Sequence, residues 1–190
     1  VNSWPGLNGM DLASEASTKE GYGWNTGVFD LHTNSFPVAD TCTARHKVVA
    51  VDYGCKQNIL RCLTAAGCDV EVVPATTSAA EILARRPDGI FLANGPGDPA
   101  ATAAYAKKEI TQLLKKNIPI FVICIGHQLL ALAFGGTTVK MSKGHRGANH
   151  PVRDLNTGRI EITSQNHGFM VVQDSLPEEV EVSHVSLFDG

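Results

Sequence analysis

From Lys47 onward the chain alternates short apolar runs with amphipathic stretches, and this alternation constrains the fold more than anything else in it. Val48-Val49-Ala50-Val51-Asp52, Val70-Glu71-Val72-Val73, Gly89-Ile90-Phe91-Leu92-Ala93 and Ile118-Pro119-Ile120-Phe121-Val122-Ile123 read as strands. Helical patterns lie between them. Lys56 to Ala66 carries Ile59, Leu60 and Leu63 on one face and stops at Gly67; Ser78 to Arg85 opens with a Ser78/Glu81 capping box; Ala101 to Lys116 is the third. This order predicts a parallel sheet with right-handed crossovers and helices on both faces. The unbroken apolar character of the strand at Ile118 to Ile123 predicts a buried one.

The pattern changes at both ends. Residues 1–46, punctuated by Trp4-Pro5-Gly6, Gly9, Gly21, Gly23, Gly27 and Pro37, show no long periodic segment and read as a lead-in or linker to a domain over 47–190. After Gly136, the segments Thr137 to Lys140, Val152 to Leu155 and Arg159 to Thr163 read as shorter, more polar strands. Asn156-Thr157-Gly158 forms a hairpin turn between the last two. The expectation is an α/β fold, mostly parallel in its central sheet, with an antiparallel extension.

Composition excludes several classes of function. A net charge of −3 without a Lys/Arg block gives no reason to expect nucleic acid or an anionic membrane as partner. The longest apolar stretch, Ile118 to Ile125, is too short to cross a bilayer. Five cysteines (Cys42, Cys55, Cys62, Cys68 and Cys124) lack CxxC or Cys/His spacing, so neither a zinc site nor a disulfide framework is expected. A reducing cytoplasm fits them, with Cys62 and Cys68 packing as small apolar residues. No Gly-x-x-x-x-Gly-Lys-Ser/Thr loop is present, so ATP is not expected to bind here, nor any other cofactor.

Cys124 stands apart. It sits where the fourth strand turns into a helix carrying Leu129, Leu130, Leu132, Ala133 and Phe134 before the Gly135-Gly136 stop. A thiol on such a corner faces the positive end of a helix, which favours the nucleophilic thiolate, and Gly126 permits the tight turn. Ligands of a parallel sheet bind beyond the carboxyl ends of its strands, where two further segments should converge. Asn94-Gly95-Pro96-Gly97-Asp98-Pro99 can offer backbone N–H groups, with that of Ile125, to an oxyanion. Gln165-Asn166-His167-Gly168-Phe169, after a strand, can clamp a small polar substrate. Taken singly, each of these two segments also fits an ordinary turn.

Together these residues resemble the class I (triad) glutamine amidotransferases, in a flavodoxin-like three-layer fold, and among them the carbamoyl phosphate branch. The likeness covers nearly the whole chain. It rests on Pro5 to Leu12, Asp52 to Arg61, Asn94 to Pro99, Cys124 to Ala133, Gly144 to Val152, Ser164 to Phe169 and Ser186 to Gly190. The resemblance implies that Cys124 attacks the side-chain amide of L-glutamine, giving a γ-glutamyl thioester and ammonia. It implies oxyanion and substrate-backbone roles for Gly95, Gly97 and Ile125, and glutamine-binding roles for Gln128, Asn166, Gly168 and Phe169. It further implies a partner, a large synthetase subunit that makes carbamoyl phosphate from the ammonia, bicarbonate and ATP for pyrimidine and arginine biosynthesis.

Two positions depart from the family. Val122 replaces a glycine two residues before the cysteine, where a β-branched side chain can crowd the strand–helix packing, although as a strand residue it can also take β angles. The family's His-Pro-Glu motif, which supplies the catalytic histidine and glutamate, does not occur in these 190 residues. His127 should point along its helix, and His32, His46, His145 and His150 are expected on the surface or in loops. The chain is therefore expected to be a C-terminally incomplete piece of a longer protein with little glutaminase turnover alone. The alternatives are another class I amidotransferase, or a regulatory module that kept the fold without the chemistry.

Overall fold

The computed structural model describes residues 6–40 and 44–189; the expectations that fall on Trp4, Pro5, Cys42 and Gly190 lie outside the described residues. The chain divides into two units, Val1–Leu130 and Ala131–Gly190.

The first unit holds a five-stranded sheet of β1 (Tyr22–Trp24), β2 (His46–Asp52), β3 (Cys68–Pro74), β4 (Gly89–Leu92) and β5 (Ile120–Val122), in the order β1-β3-β2-β4-β5. β2 to β5 are mutually parallel, and β1 joins the edge antiparallel to β3. The helices are α1 (Ala13–Ala16), α2 (Gln57–Ala65), α3 (Ala79–Ala84) and α4 (Pro99–Leu114), with α5 (Ile125–Ala133) following β5. Their ends follow local chemistry. Gly67, at φ +89°, closes α2 with its N–H on Thr64 O. Ser78 and Glu81 form both bonds of the capping box on α3. α4 starts earlier than its apolar period suggests, because Asp98 caps it and Pro99 suits a first helical position.

The strand order has a consequence for binding. β3 lies on one side of β2 and β4 on the other, so the chain reverses direction across the sheet between α2 and α3. The carboxyl ends of β2 and β4 flank that reversal, where open α/β sheets open a crevice. α3 and α4 share a face, tied by the Ala79 N–H donating to Glu109 Oε2 at 2.7 Å.

Two local expectations need correction. Among the described residues β5 is an edge strand paired with β4 alone, so Phe121 is 58% exposed rather than buried, although its ring stacks on Phe91. Cys62 is exposed, because it sits two residues beyond Leu60 and so on the opposite side of α2 from that buried leucine. The lead-in supplies β1, and Arg61 of α2 lies over the rings of Phe36 and Trp24, at 4.3 and 5.7 Å from their centroids.

The second unit is a three-stranded antiparallel sheet of β6 (Thr138–Asp154), β7 (Ile160–Val171) and β8 (His184–Ser186), in the order β7-β6-β8. The turn at Asn156-Thr157-Gly158 forms, with Gly158 at φ +71° and its N–H on Asp154 O. The segments expected as separate strands at 137–140 and 152–155 are the two ends of one seventeen-residue strand. Register shifts between Lys140 and His145, and between Gly147 and His150, interrupt its alternation, which hides the strand from a period-2 reading. Gln165 to Phe169 likewise lies within β7 rather than at a strand-end turn.

Candidate active site

The corner at the ends of β2 and β4 is built from main chain held by a few polar side chains. Asp52, buried at the end of β2, accepts at Oδ1 from the N–H groups of Gly54 (2.8 Å) and Cys55 (2.6 Å), and at Oδ2 from Thr18 (2.7 Å). Asn94 at the end of β4 accepts from the Lys56 N–H and donates to Gly54 O, joining the two strand exits. A Cβ on Gly95 would run into the Tyr53 carbonyl, so only glycine lets these backbones approach. Cys55 is no second nucleophile: burial, then Asp52, pushes its thiol up to about 12.

Gly97 sits at φ +99°, and a Cβ there would lie 2.7 Å from Met10 O and 2.8 Å from Leu12 N. The lead-in is thus pressed against the Gly95–Gly97 loop, and reciprocal bonds fix it. The Asp98 N–H donates to Met10 O at 2.9 Å, and the Gly9 N–H donates to Asp98 Oδ2 at 2.8 Å. Asp98 Oδ1 meanwhile caps α4 through the Ala100 N–H. Behind them Asp11 Oδ1 accepts from Thr102 Oγ1 at 2.9 Å and from the Tyr105 hydroxyl at 3.3 Å.

Cys124 follows the last β4–β5 pair, Leu92↔Val122, by two residues, as Asn94 does on the neighbouring strand. It adopts φ +55°, a left-handed conformation that non-glycine residues avoid outside constrained sites. The surrounding main chain imposes it. The Ile123 N–H donates to Leu92 O (3.1 Å) and the Gly126 N–H to Ile123 O (3.0 Å), and α5 begins at once with the Gln128 N–H on Cys124 O (3.2 Å). A Cβ on Gly126 would overlap the Leu92 carbonyl, so glycine lets α5 rest on the end of β4. Val122 sits in the paired part of β5 and is accommodated there as strand. Ile125, Gln128 and Leu129 are buried, and His127 is exposed.

In chemical terms this is a partly exposed thiol at the start of α5, beside a glycine loop. The first N–H groups of α5, Ile125 among them, have no acceptor inside the helix and point toward the end where the thiol sits. The expected residues Cys124, Gly95, Gly97, Ile125 and Gln128 are therefore gathered at the ends of β4 and β5. Asp52 and Asp98, which hold this corner, were not singled out as functional residues. Their sequence signal is an aspartate directly after an apolar strand or before a helix-starting proline.

Asn166, Gly168 and Phe169 are carried by β7 in the second unit, Asn166 paired with Arg146 and Phe169 with Lys140. Next to them lies a cluster that the sequence left among surface and loop histidines. His145 is buried, its Nδ1 2.9 Å from Gln165 Oε1 and its Nε2 3.0 Å from Asp189 Oδ2, with the rings of His150, His167 and Phe188 around it. The correction has a simple cause: the bulges of β6 turn His145 inward. His167 places Nε2 2.8 Å from the same Gln165 oxygen and Nδ1 2.8 Å from Phe169 O. Burial first, then His145, pushes the His167 pKa below its usual value near 6.5, against the Phe169 carbonyl, which raises it. Gln165 Nε2 meanwhile donates to Thr163 Oγ1 at 3.0 Å, and Thr163 Oγ1 donates to His150 O at 2.9 Å, which extends the network along β7 and β6. Among the described residues no group of three His, Cys, Asp or Glu side chains is placed to hold a metal ion.

A family model described as glutamine amidotransferase class-I matches residues 49–190. The chain is 58% identical over 190 residues to a carbamoyl phosphate synthase small chain of Zymomonas mobilis, covering 100% of this chain and 50% of that protein. The same identity and coverage hold for a carbamoyl phosphate synthase small chain of Pseudomonas putida. The chain thus spans about half the length of these curated relatives. Among solved structures, a Thermoplasma acidophilum protein aligns with a TM-score of 0.63 at 24% identity, over 74% of this chain and 73% of that one. A glutamine amidotransferase from Thermotoga maritima aligns at 0.56 and 18%, over 74% and 67%. At these identities the two structures speak for the fold alone.

Proposed function

Because the chain belongs to the class I glutamine amidotransferases, we propose that it is the glutamine-hydrolysing part of a carbamoyl phosphate synthase. The observation that carries this is Cys124, held at φ +55° between β5 and α5. Its Sγ attacks the side-chain amide carbon of L-glutamine, and the carbonyl oxygen takes up negative charge. Backbone N–H groups of Ile125 and the Gly95–Gly97 loop stabilise that oxyanion. The C–N bond then breaks, the proton given up by the thiol ends on the leaving nitrogen so that it departs as ammonia, and water adds to the γ-glutamyl thioester, releasing glutamate and returning the thiol. Gln128, Asn166, Gly168 and Phe169 are assigned to binding glutamine.

The ammonia is passed to a large synthetase subunit that binds ATP and bicarbonate, in the cytoplasm. No helix among the described residues is long and apolar enough to cross a membrane. Within these 190 residues no histidine stands in a His-Pro-Glu context, and the chain alone is expected to turn glutamine over slowly or not at all. The test therefore uses the complete small chain with its synthetase subunit. Cys124→Ala should lower glutamine hydrolysis at least about a thousandfold, and an electrophilic glutamine analogue should label Cys124 alone. Hydrolysis that survives the substitution would remove the proposal.

A further inference from the structure

We infer that Asp98 is a positioning residue for the glutaminase step: it fastens residues 9–12 of the lead-in over the glycine loop at 95–97 and so holds that loop in the shape that presents its amides to the oxyanion. This rests on the glutaminase reading above. Gly95-Pro96-Gly97 has little of its own to hold a shape. Two of its residues lack a side chain, Pro96 lacks an N–H, and Gly97 takes a left-handed φ of +99°. No main-chain acceptor among the described residues takes the N–H of Gly95 or of Gly97. Donors to an oxyanion work only when they are fixed before the charge develops, so this loop has to be held from outside.

The lead-in holds it from one side. A Cβ on Gly97 would lie 2.7 Å from Met10 O and 2.8 Å from Leu12 N, so the segment lies directly against the last glycine of the loop. The Asp98 N–H, on Met10 O at 2.9 Å, ties the next peptide to the same segment. The Asp98 carboxylate keeps the segment in place by accepting from the Gly9 N–H at 2.8 Å, across 89 residues of sequence. Asp11 seats the other end on α4 by accepting from Thr102 Oγ1 and the Tyr105 hydroxyl. Capping a helix does not by itself call for such a side chain. Ser78 starts α3 with one oxygen, whereas Asp98 is buried and gives one oxygen to the Ala100 N–H and the other to Gly9. The second oxygen does nothing for α4. It serves the lead-in, and through it the loop. The two N–H groups and the helix N-terminus also offset the negative charge of Asp98, which would otherwise oppose an oxyanion beside the loop.

The test uses the complete small chain with its synthetase subunit. Asp98→Ser keeps an oxygen for the cap and has none for Gly9. Its kcat for glutamine hydrolysis should fall about tenfold or more with KM within about twofold, as expected when oxyanion donors are displaced rather than removed. An oxyanion forms when the thiol adds to glutamine and again when water adds to the thioester, so kcat falls whichever step limits. Asp11→Ala frees the other end of the segment without touching the cap, and should lower kcat in the same direction. Because both residues act through one segment, the double variant should lose much less than the product of the two single losses. Parent-like kcat in both single variants, a raised KM with kcat unchanged, or losses that multiply in the double variant would each overturn the positioning role. A parent enzyme that hydrolyses no glutamine removes the glutaminase reading itself.

Discussion

At the scale of single residues, Cys124 trades stability for position. A non-glycine residue at φ +55° costs on the order of 1 kcal/mol, which glycine would not incur. Cys124→Gly is therefore expected to stabilise the protein by about 1 kcal/mol while abolishing the thiol chemistry. Chemical denaturation compared with a glutaminase assay checks both halves, and a destabilised glycine variant would mean that the thiol's own contacts outweigh the backbone strain. The strand–turn–helix signature and Gly126 were legible because both are local. The strain itself was not, since it arises from where Leu92 of another strand holds Ile123 and Gly126.

At the scale of elements, α4 and its cap do two jobs. Asp98 starts the helix through Ala100 and, through Gly9 and Met10, clamps the lead-in onto the glycine loop. Asp98→Ala removes a cap and leaves the Gly9 N–H without its acceptor, so a loss of about 2 kcal/mol is expected. Thermal unfolding should show it, together with faster hydrogen exchange at Gly9. Asp98→Asn, which keeps an acceptor oxygen, should recover much of the loss. The elements themselves were largely readable: the capping box of α3, the glycine stop of α2 and the first three parallel strands lie where the pattern puts them. β5 was misjudged because an apolar run does not reveal whether a strand is central or at an edge. β6 was missed as one element because its bulges and glycines mimic loop punctuation.

At the scale of the whole molecule, the second unit carries a pH dependence. The folded pKa of His167 lies below the unfolded value near 6.5, so on acidification the unfolded chain takes up this proton first. Stability is fully present above about pH 6.5 and falls as pH drops through the lowered folded value, with His145, His150 and Asp189 modulating the window. The unfolding midpoint should fall between pH 7.5 and 5, and His167→Gln should flatten that part of the profile. An unchanged profile would assign the acid sensitivity to other groups. The histidine cluster was illegible beforehand because it needs β6, β7 and Asp189 brought together from distant positions. The thiol corner was readable because its parts lie within a few residues of one another.

The corner around Cys124 also says which letters of the sequence are free to drift. Its critical contacts are main chain on main chain: Gly95 against Tyr53, Gly97 against Met10, Gly126 against Leu92. Such contacts carry no information about the neighbouring side chains. Apolar residues on β2 and β4 can be exchanged over generations with modest repacking, and the thiol will hardly register it. The glycines have no synonyms, so a lineage can rewrite much of this core and still spell the same corner.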